Sequence, residues 1–127
     1  MRRYDWQTRL RDVLLAYDAS PWRWGVSDCV CVADDIAEAL TGNRPFGAAA
    51  LGYRCPRSAR ATLHQLGYPN LPAFIGARLR AAGWLEVPAQ ASIPGDLAVR
   101  GFTVTVRVGH AFVARDVGVD AVLERHL

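Results

Sequence analysis

The 127-residue sequence contains no lysine, and all fifteen of its basic residues are arginine. Twelve acidic residues leave a formal net charge of +3, and the arginines are scattered along the chain without a basic stripe interleaved with aromatic residues. Nucleic-acid-binding domains concentrate positive charge on one face. We therefore expect no nucleic-acid partner, although a mildly basic face can assist approach to an anionic envelope or to acidic partner subunits.

Cysteines and long apolar runs are also scarce. The three cysteines, Cys29, Cys31 and Cys55, are an odd number, which argues against a disulfide framework and is typical of a reducing compartment. Together with His64 they do not match a recognised zinc-ligand spacing, so we expect no metal site and no cofactor. No apolar stretch reaches the roughly 20 residues of a membrane span. The charged N-terminus lacks the apolar core of a signal peptide, so we also expect no secretion signal.

Length and patterning predict a single α+β domain over 1–127. A chain of this length can bury about two-thirds of its unfolded surface around one core. Apolar residues at helical spacing, with suitable caps, predict helices over 4–17, 28–41, 58–66 and 71–82. After these the pattern changes to strands, which we expect over 84–87, 97–100, 103–115 and 121–125. Helices first and an antiparallel sheet last is an α+β arrangement.

The segment Trp22-Arg23-Trp24-Gly25-Val26-Ser27-Asp28-Cys29 places a cysteine in the first turn of the second predicted helix. Ser27 or Asp28 is a good N-cap, and Gly42 stands where the helix should end. The N–H groups of a first helical turn and the positive end of the helix dipole favour thiolate over thiol. Cys29 is therefore a candidate nucleophile, with a buried and inert helix cysteine as the alternative. We interpret Cys31, which points to another helix face, as a small core residue.

A histidine in the predicted sheet is the candidate general base. Pro94-Gly95-Asp96 forms a turn into the strand over 97–100, and His110 follows in the next β-rich stretch. A strand that faces a helix N-terminus can hold an imidazole within hydrogen-bond reach of a sulfur. A lone strand histidine is also frequently structural, so both roles remain open for His110.

With these residues the chain resembles the NlpC-type cell-wall cysteine peptidases of the papain-like superfamily. The matching pieces are Asp28-Cys29 at the start of a helix, Gly95-Asp96-Leu97 at the start of the sheet and Gly109-His110 in a following strand. The chain is most similar to a small branch of the family found in prophages and tail-gene clusters. The residues that match the motif of this branch are Trp22, Trp24-Gly25, Asp28-Cys29 and Thr41-Gly42. The chain departs from the family where Ser-Gly usually follows the cysteine, since Val30-Cys31 stands there.

The resemblance implies a papain-like NlpC-type fold and a peptidase or amidase in which Cys29 is the nucleophile and His110 is the base and then the acid. It also implies that Asp28, a candidate substrate-binding residue, and the Cys29 N–H help form the nucleophile pocket and oxyanion site. Trp22 and Trp24 either line the substrate cleft or act as packing anchors. A third polar residue should orient the imidazole. Glu124 is the preferred candidate, and Asp120 and His126, which share a predicted strand face with it, are the alternatives.

The implied substrate is a peptide stem of peptidoglycan, cleaved near a D-glutamyl–diamino-acid bond. The implied partners are other tail-tip or baseplate proteins, and the implied location is the virion tail tip after synthesis in the cytoplasm of a bacterial host. A second interpretation is a catalytically weak or inactive assembly subunit that keeps the fold, which the Val30-Cys31 departure supports. A third is an intracellular cysteine hydrolase or acyltransferase unrelated to cell walls.

Overall fold

The computed structural model describes residues 1–18, 20–109, 111–116 and 119–125. Four helices come first in this part of the chain: α1 (Trp6–Asp18), α2 (Cys29–Thr41), α3 (Pro56–Gln65) and α4 (Leu71–Ala81). Four strands follow: β1 (Leu97–Arg100), β2 (Thr103–Val108), β3 (Ala111–Asp116) and β4 (Val119–Arg125). The order of helices and strands confirms the predicted α+β class.

The strands form one antiparallel sheet in the order β1-β2-β3-β4, so each strand pairs with the next along the chain. Val99 pairs with Val104 across the first hairpin, and Val106 pairs with Val113 across the second. Phe112 pairs with Glu124 across the third. The sheet is therefore a meander with β2 in its interior.

Helix α2 is the central element of the core. Its N-cap is Asp28, and its C-cap is Gly42, whose φ of +88° is the left-handed conformation that glycine adopts most easily. One end of α2 packs with Phe46, Phe74 and Val104, and the other end packs with residues of α1 and with Val106. The helix thus connects α1, the α3–α4 region and the sheet, and it fixes where its own first residue lies.

Three sequence-based predictions of secondary structure were wrong in detail. No strand forms over 84–87. The Trp84 N–H donates to the Leu79 carbonyl and so belongs to the C-terminal turn of α4. The residues that follow pair with no strand in the described chain. The predicted strand over 103–115 is two strands, since Val108 pairs with Ala111 and the chain reverses between them. Helix α3 begins at Pro56, two residues before the predicted start at 58; its N-cap is Cys55, and Ser58 completes a capping box.

Candidate active site at Cys29

The start of α2 is held by the carboxylate of Asp28. One carboxylate oxygen accepts the N–H groups of Val30 and Cys31, each at 3.0 Å, and the other accepts the N–H of Gly25 at 2.7 Å. Ser27 closes the same turn, because its hydroxyl donates to the Pro21 carbonyl at 2.6 Å. The predicted placement of a cysteine in a capped first helical turn is therefore confirmed.

The Cys29 sulfur lies against the beginning of β2 and is half-buried. The N–H of Val104 donates to Cys29 Sγ at 3.4 Å, and the carbonyl oxygen of Phe102 lies 3.8 Å from the same sulfur. An N–H donor and the positive end of a helix both stabilise negative charge on sulfur. The Val104 N–H and the helix end thus favour the thiolate, the form that reacts as a nucleophile, whereas the Phe102 carbonyl oxygen accepts a hydrogen bond from the neutral thiol.

A small cavity of about 60 Å³ adjoins this sulfur. Trp22 and Trp24 border it and pack edge to face, with ring centroids 4.9 Å apart. The other walls come from α3, α4 and the residues around β2, including Ala59, Leu63, Leu71, Phe74 and Phe102. The two tryptophans therefore line a cavity beside Cys29 and also pack against each other. Whether they contact a substrate stays a prediction.

The Asp28 carboxylate, which the sequence predicts to bind substrate, is occupied in this structure by the backbone of its own turn. Its side chain lines the cavity but the residue is only 2 % exposed, and its two oxygens already accept three backbone N–H groups. A buried carboxylate engaged in this way stabilises the turn and has little capacity left for a ligand. Asp28 is thus a positioning residue that sets the geometry of Cys29.

Tyr53 is a part of the site that the sequence did not reveal. It is buried and lies in the cavity wall, and its hydroxyl is 3.9 Å from Cys31 Sγ. Burial, followed by the negative charge of Asp28, raises the pKa of Tyr53 well above its ordinary value. The available signal was Gly25: a Cβ there would lie 2.1 Å from the Tyr53 carbonyl oxygen, so only glycine allows the two segments to approach.

The other two cysteines differ sharply from each other. Cys31 is 3 % exposed, which confirms the prediction of a small core residue. Burial and the Asp28 charge raise the pKa of Cys31 to about 12, so it is a neutral thiol at physiological pH. Cys55 is exposed at the start of α3, where hydrogen bonds from the side chain and then the backbone of Ser58 lower its pKa. Cys55 is therefore a second reactive thiol that any labelling experiment must account for.

Residues 1–125 match a protein family described as a domain of unknown function, DUF6950. The chain belongs to this family. No curated protein and no solved structure matches it. Within the described part of this DUF6950 chain, no helix is long and apolar enough to cross a membrane, and no three acidic, histidine or cysteine side chains are grouped to hold a metal ion.

The side chains predicted to act with Cys29 all lie outside the part of this DUF6950 chain that the structure describes. His110 and His126 lie outside the described residues, as do the side chains of Asp120 and Glu124. The Cys29–His110 pair stays a prediction.

Proposed function

We propose that this DUF6950 chain is a papain-like cysteine peptidase or amidase of the NlpC type, carried at the tail tip of a phage or phage-like particle. Its substrate is the peptide stem of host peptidoglycan, and local hydrolysis helps the tail cross the envelope. The observation that carries the proposal is the position of Cys29: the first residue of a capped helix, with its sulfur beside a cavity bordered by Trp22 and Trp24. The NlpC-like motif pattern supplies the reaction and the substrate class.

The proposed reaction proceeds through a thioester. The Cys29 thiolate attacks the carbonyl carbon of the peptide stem, the amine leaves with a proton from the general acid, and water then hydrolyses the acyl-enzyme. The base in the first step and the acid in the second are assigned to His110 on the strength of the resemblance alone. The positive end of α2 stabilises negative charge that develops next to Cys29.

A second candidate function is binding without turnover. The observation that favours it is Val30-Cys31, which stands where Ser-Gly usually follows the cysteine in the NlpC-type pattern. A domain that keeps the cavity but has no base at the sulfur would bind a peptide stem and leave it intact. Such a chain would serve as a recognition or assembly subunit of a tail tip.

Purified peptidoglycan separates these two candidates. For the enzyme we expect release of soluble peptides by the wild-type protein, loss of release in Cys29→Ala and in His110→Ala, and unchanged activity in Cys55→Ser as the matched cysteine control. For the binding subunit we expect all four proteins to sediment with peptidoglycan and to release nothing. Absence of both release and sedimentation would refute the assignment to cell walls.

A further inference from the structure

Charge is unevenly distributed around the Cys29 cavity. No acidic residue occurs between Glu38 and Glu86, and this segment contributes six arginines. Arg44 is neutralised, because it pairs with Asp35 at 2.5 Å and with Glu38 at 3.1 Å. The same segment forms α3 and α4, which supply one side of the cavity. That side therefore carries positive charge with no acidic side chain of its own segment to balance it.

One of these arginines is attached to the cavity wall next to the thiol. The guanidinium of Arg60 lies over the ring of Phe102, 5.1 Å from its centre. Phe102 lines the cavity and places its carbonyl oxygen 3.8 Å from Cys29 Sγ. Ala59, the residue before Arg60, lines the cavity as well. Arg60 is thus held by a cation–π contact on the ring of a residue that lines the cavity and whose carbonyl oxygen contacts the sulfur.

Arg60 is also able to take a ligand. It is exposed and makes no ion pair with any side chain that the structure describes. A guanidinium stacked on an aromatic face keeps its in-plane N–H donors directed outward, and these match a carboxylate in a bidentate geometry. The cavity beside it is lined mainly by apolar and aromatic side chains, and Asp28, the acidic residue in its wall, is already engaged by backbone N–H groups.

We infer that Arg60 is a specificity-determining residue of the Cys29 site, selecting substrates in which a carboxylate flanks an apolar group that occupies the cavity. The inference rests on the proposed function, because it requires Cys29 to be the reacting group. It adds a recognition element on α3 that the motif pattern does not contain. Neutral substrates of the same shape are expected to react more slowly than anionic ones.

Two alkylating reagents of nearly equal size test this selectivity at the sulfur itself. Iodoacetate is an anion and iodoacetamide is neutral, so the ratio of their rates at Cys29 reports the local charge. The measurement uses full-length protein carrying Cys55→Ser, which removes the competing exposed thiol and keeps a preferred N-cap residue on α3. We expect Arg60→Gln to lower the iodoacetate-to-iodoacetamide ratio about threefold, the effect of one unit charge acting across several ångströms of water. Arg60→Glu should lower it further.

The matched control is Arg57→Gln, which removes an exposed arginine from the same helix without touching the Phe102 ring. It should change the ratio by much less than Arg60→Gln. Two results would overturn the inference and leave the proposed function standing. One is an equal change of the rate ratio in both variants. The other is an unchanged ratio in both variants while Cys29 still reacts rapidly. If Cys29 reacts no faster than glutathione below pH 7, the assignment of the nucleophile fails and the inference fails with it.

Discussion

Replacing Asp28 by alanine should destabilise the whole domain. The substitution removes the acceptor of three backbone N–H groups, those of Gly25, Val30 and Cys31, at 2.7–3.0 Å. Loss of an N-cap costs about 1 kcal/mol, and each buried N–H left without a partner costs about 1–3 kcal/mol. Because water can reach part of the opened turn, we expect a total loss of about 3–5 kcal/mol.

Urea unfolding followed by tryptophan fluorescence measures this loss, since Trp22 and Trp24 lie in the affected turn. Asp28→Asn keeps one acceptor oxygen for Val30 and Cys31 and should cost roughly half as much. Asp12→Ala is the surface control, because Asp12 is 65 % exposed at the side chain and its 3.7 Å contact with Arg11 contributes little. A loss below about 1 kcal/mol in Asp28→Ala, or an equal loss in the Asp12 variant, would refute the role assigned to the Asp28 carboxylate.

Two further expectations follow from burial and from the pKa of Cys31. Phe112→Ala should cost about 3–5 kcal/mol in urea unfolding because the ring is 3 % exposed, whereas Cys29→Ala should cost under about 1 kcal/mol; equal losses would make Cys29 a structural residue. Because folding raises the pKa of Cys31 from 9.0 to about 12, ionisation favours the unfolded chain. Stability should therefore fall as the pH rises from about 9 to 12, and less steeply in Cys31→Ala; an unchanged slope would contradict the assignment.

Local signals in the sequence identified the thiol and its helix. Asp28 and Gly42 are caps whose effect depends on neighbouring backbone groups, so α2 could be placed from the sequence to within one residue. The strand predicted over 84–87 does not form for a non-local reason. A strand requires a neighbouring strand to pair with, and the β propensity of its own residues does not supply one. Gly109 interrupts the β-rich run with a φ of +59°, and only the pairing of Val108 with Ala111 shows that the chain reverses there.

Long-range partners account for what sequence reasoning missed at the site. Tyr53 reaches Cys31 across 22 residues, and nothing in its own neighbourhood indicates that contact. Asp34 is fully buried, and its carboxylate accepts the N–H groups of Phe46 and Ala48 at 2.8 Å each. Its position among the apolar residues of α2 was the available hint, since an acidic residue on a buried helix face must find donors. Arg60 could not be assigned without the ring of Phe102 beneath it.

The contact between Cys29 and Val104 joins two parts of the chain that are 75 residues apart in sequence. The sheet itself needs only short loops to close, because each strand pairs with its neighbour along the chain. Short-range pairings form early and distant ones late in folding. A chain still emerging from the ribosome up to the end of α4 would carry the capped helix and its thiol but not the β2 backbone against which the sulfur rests. The fold thereby delays assembly of the site until the sheet has been synthesised and docked.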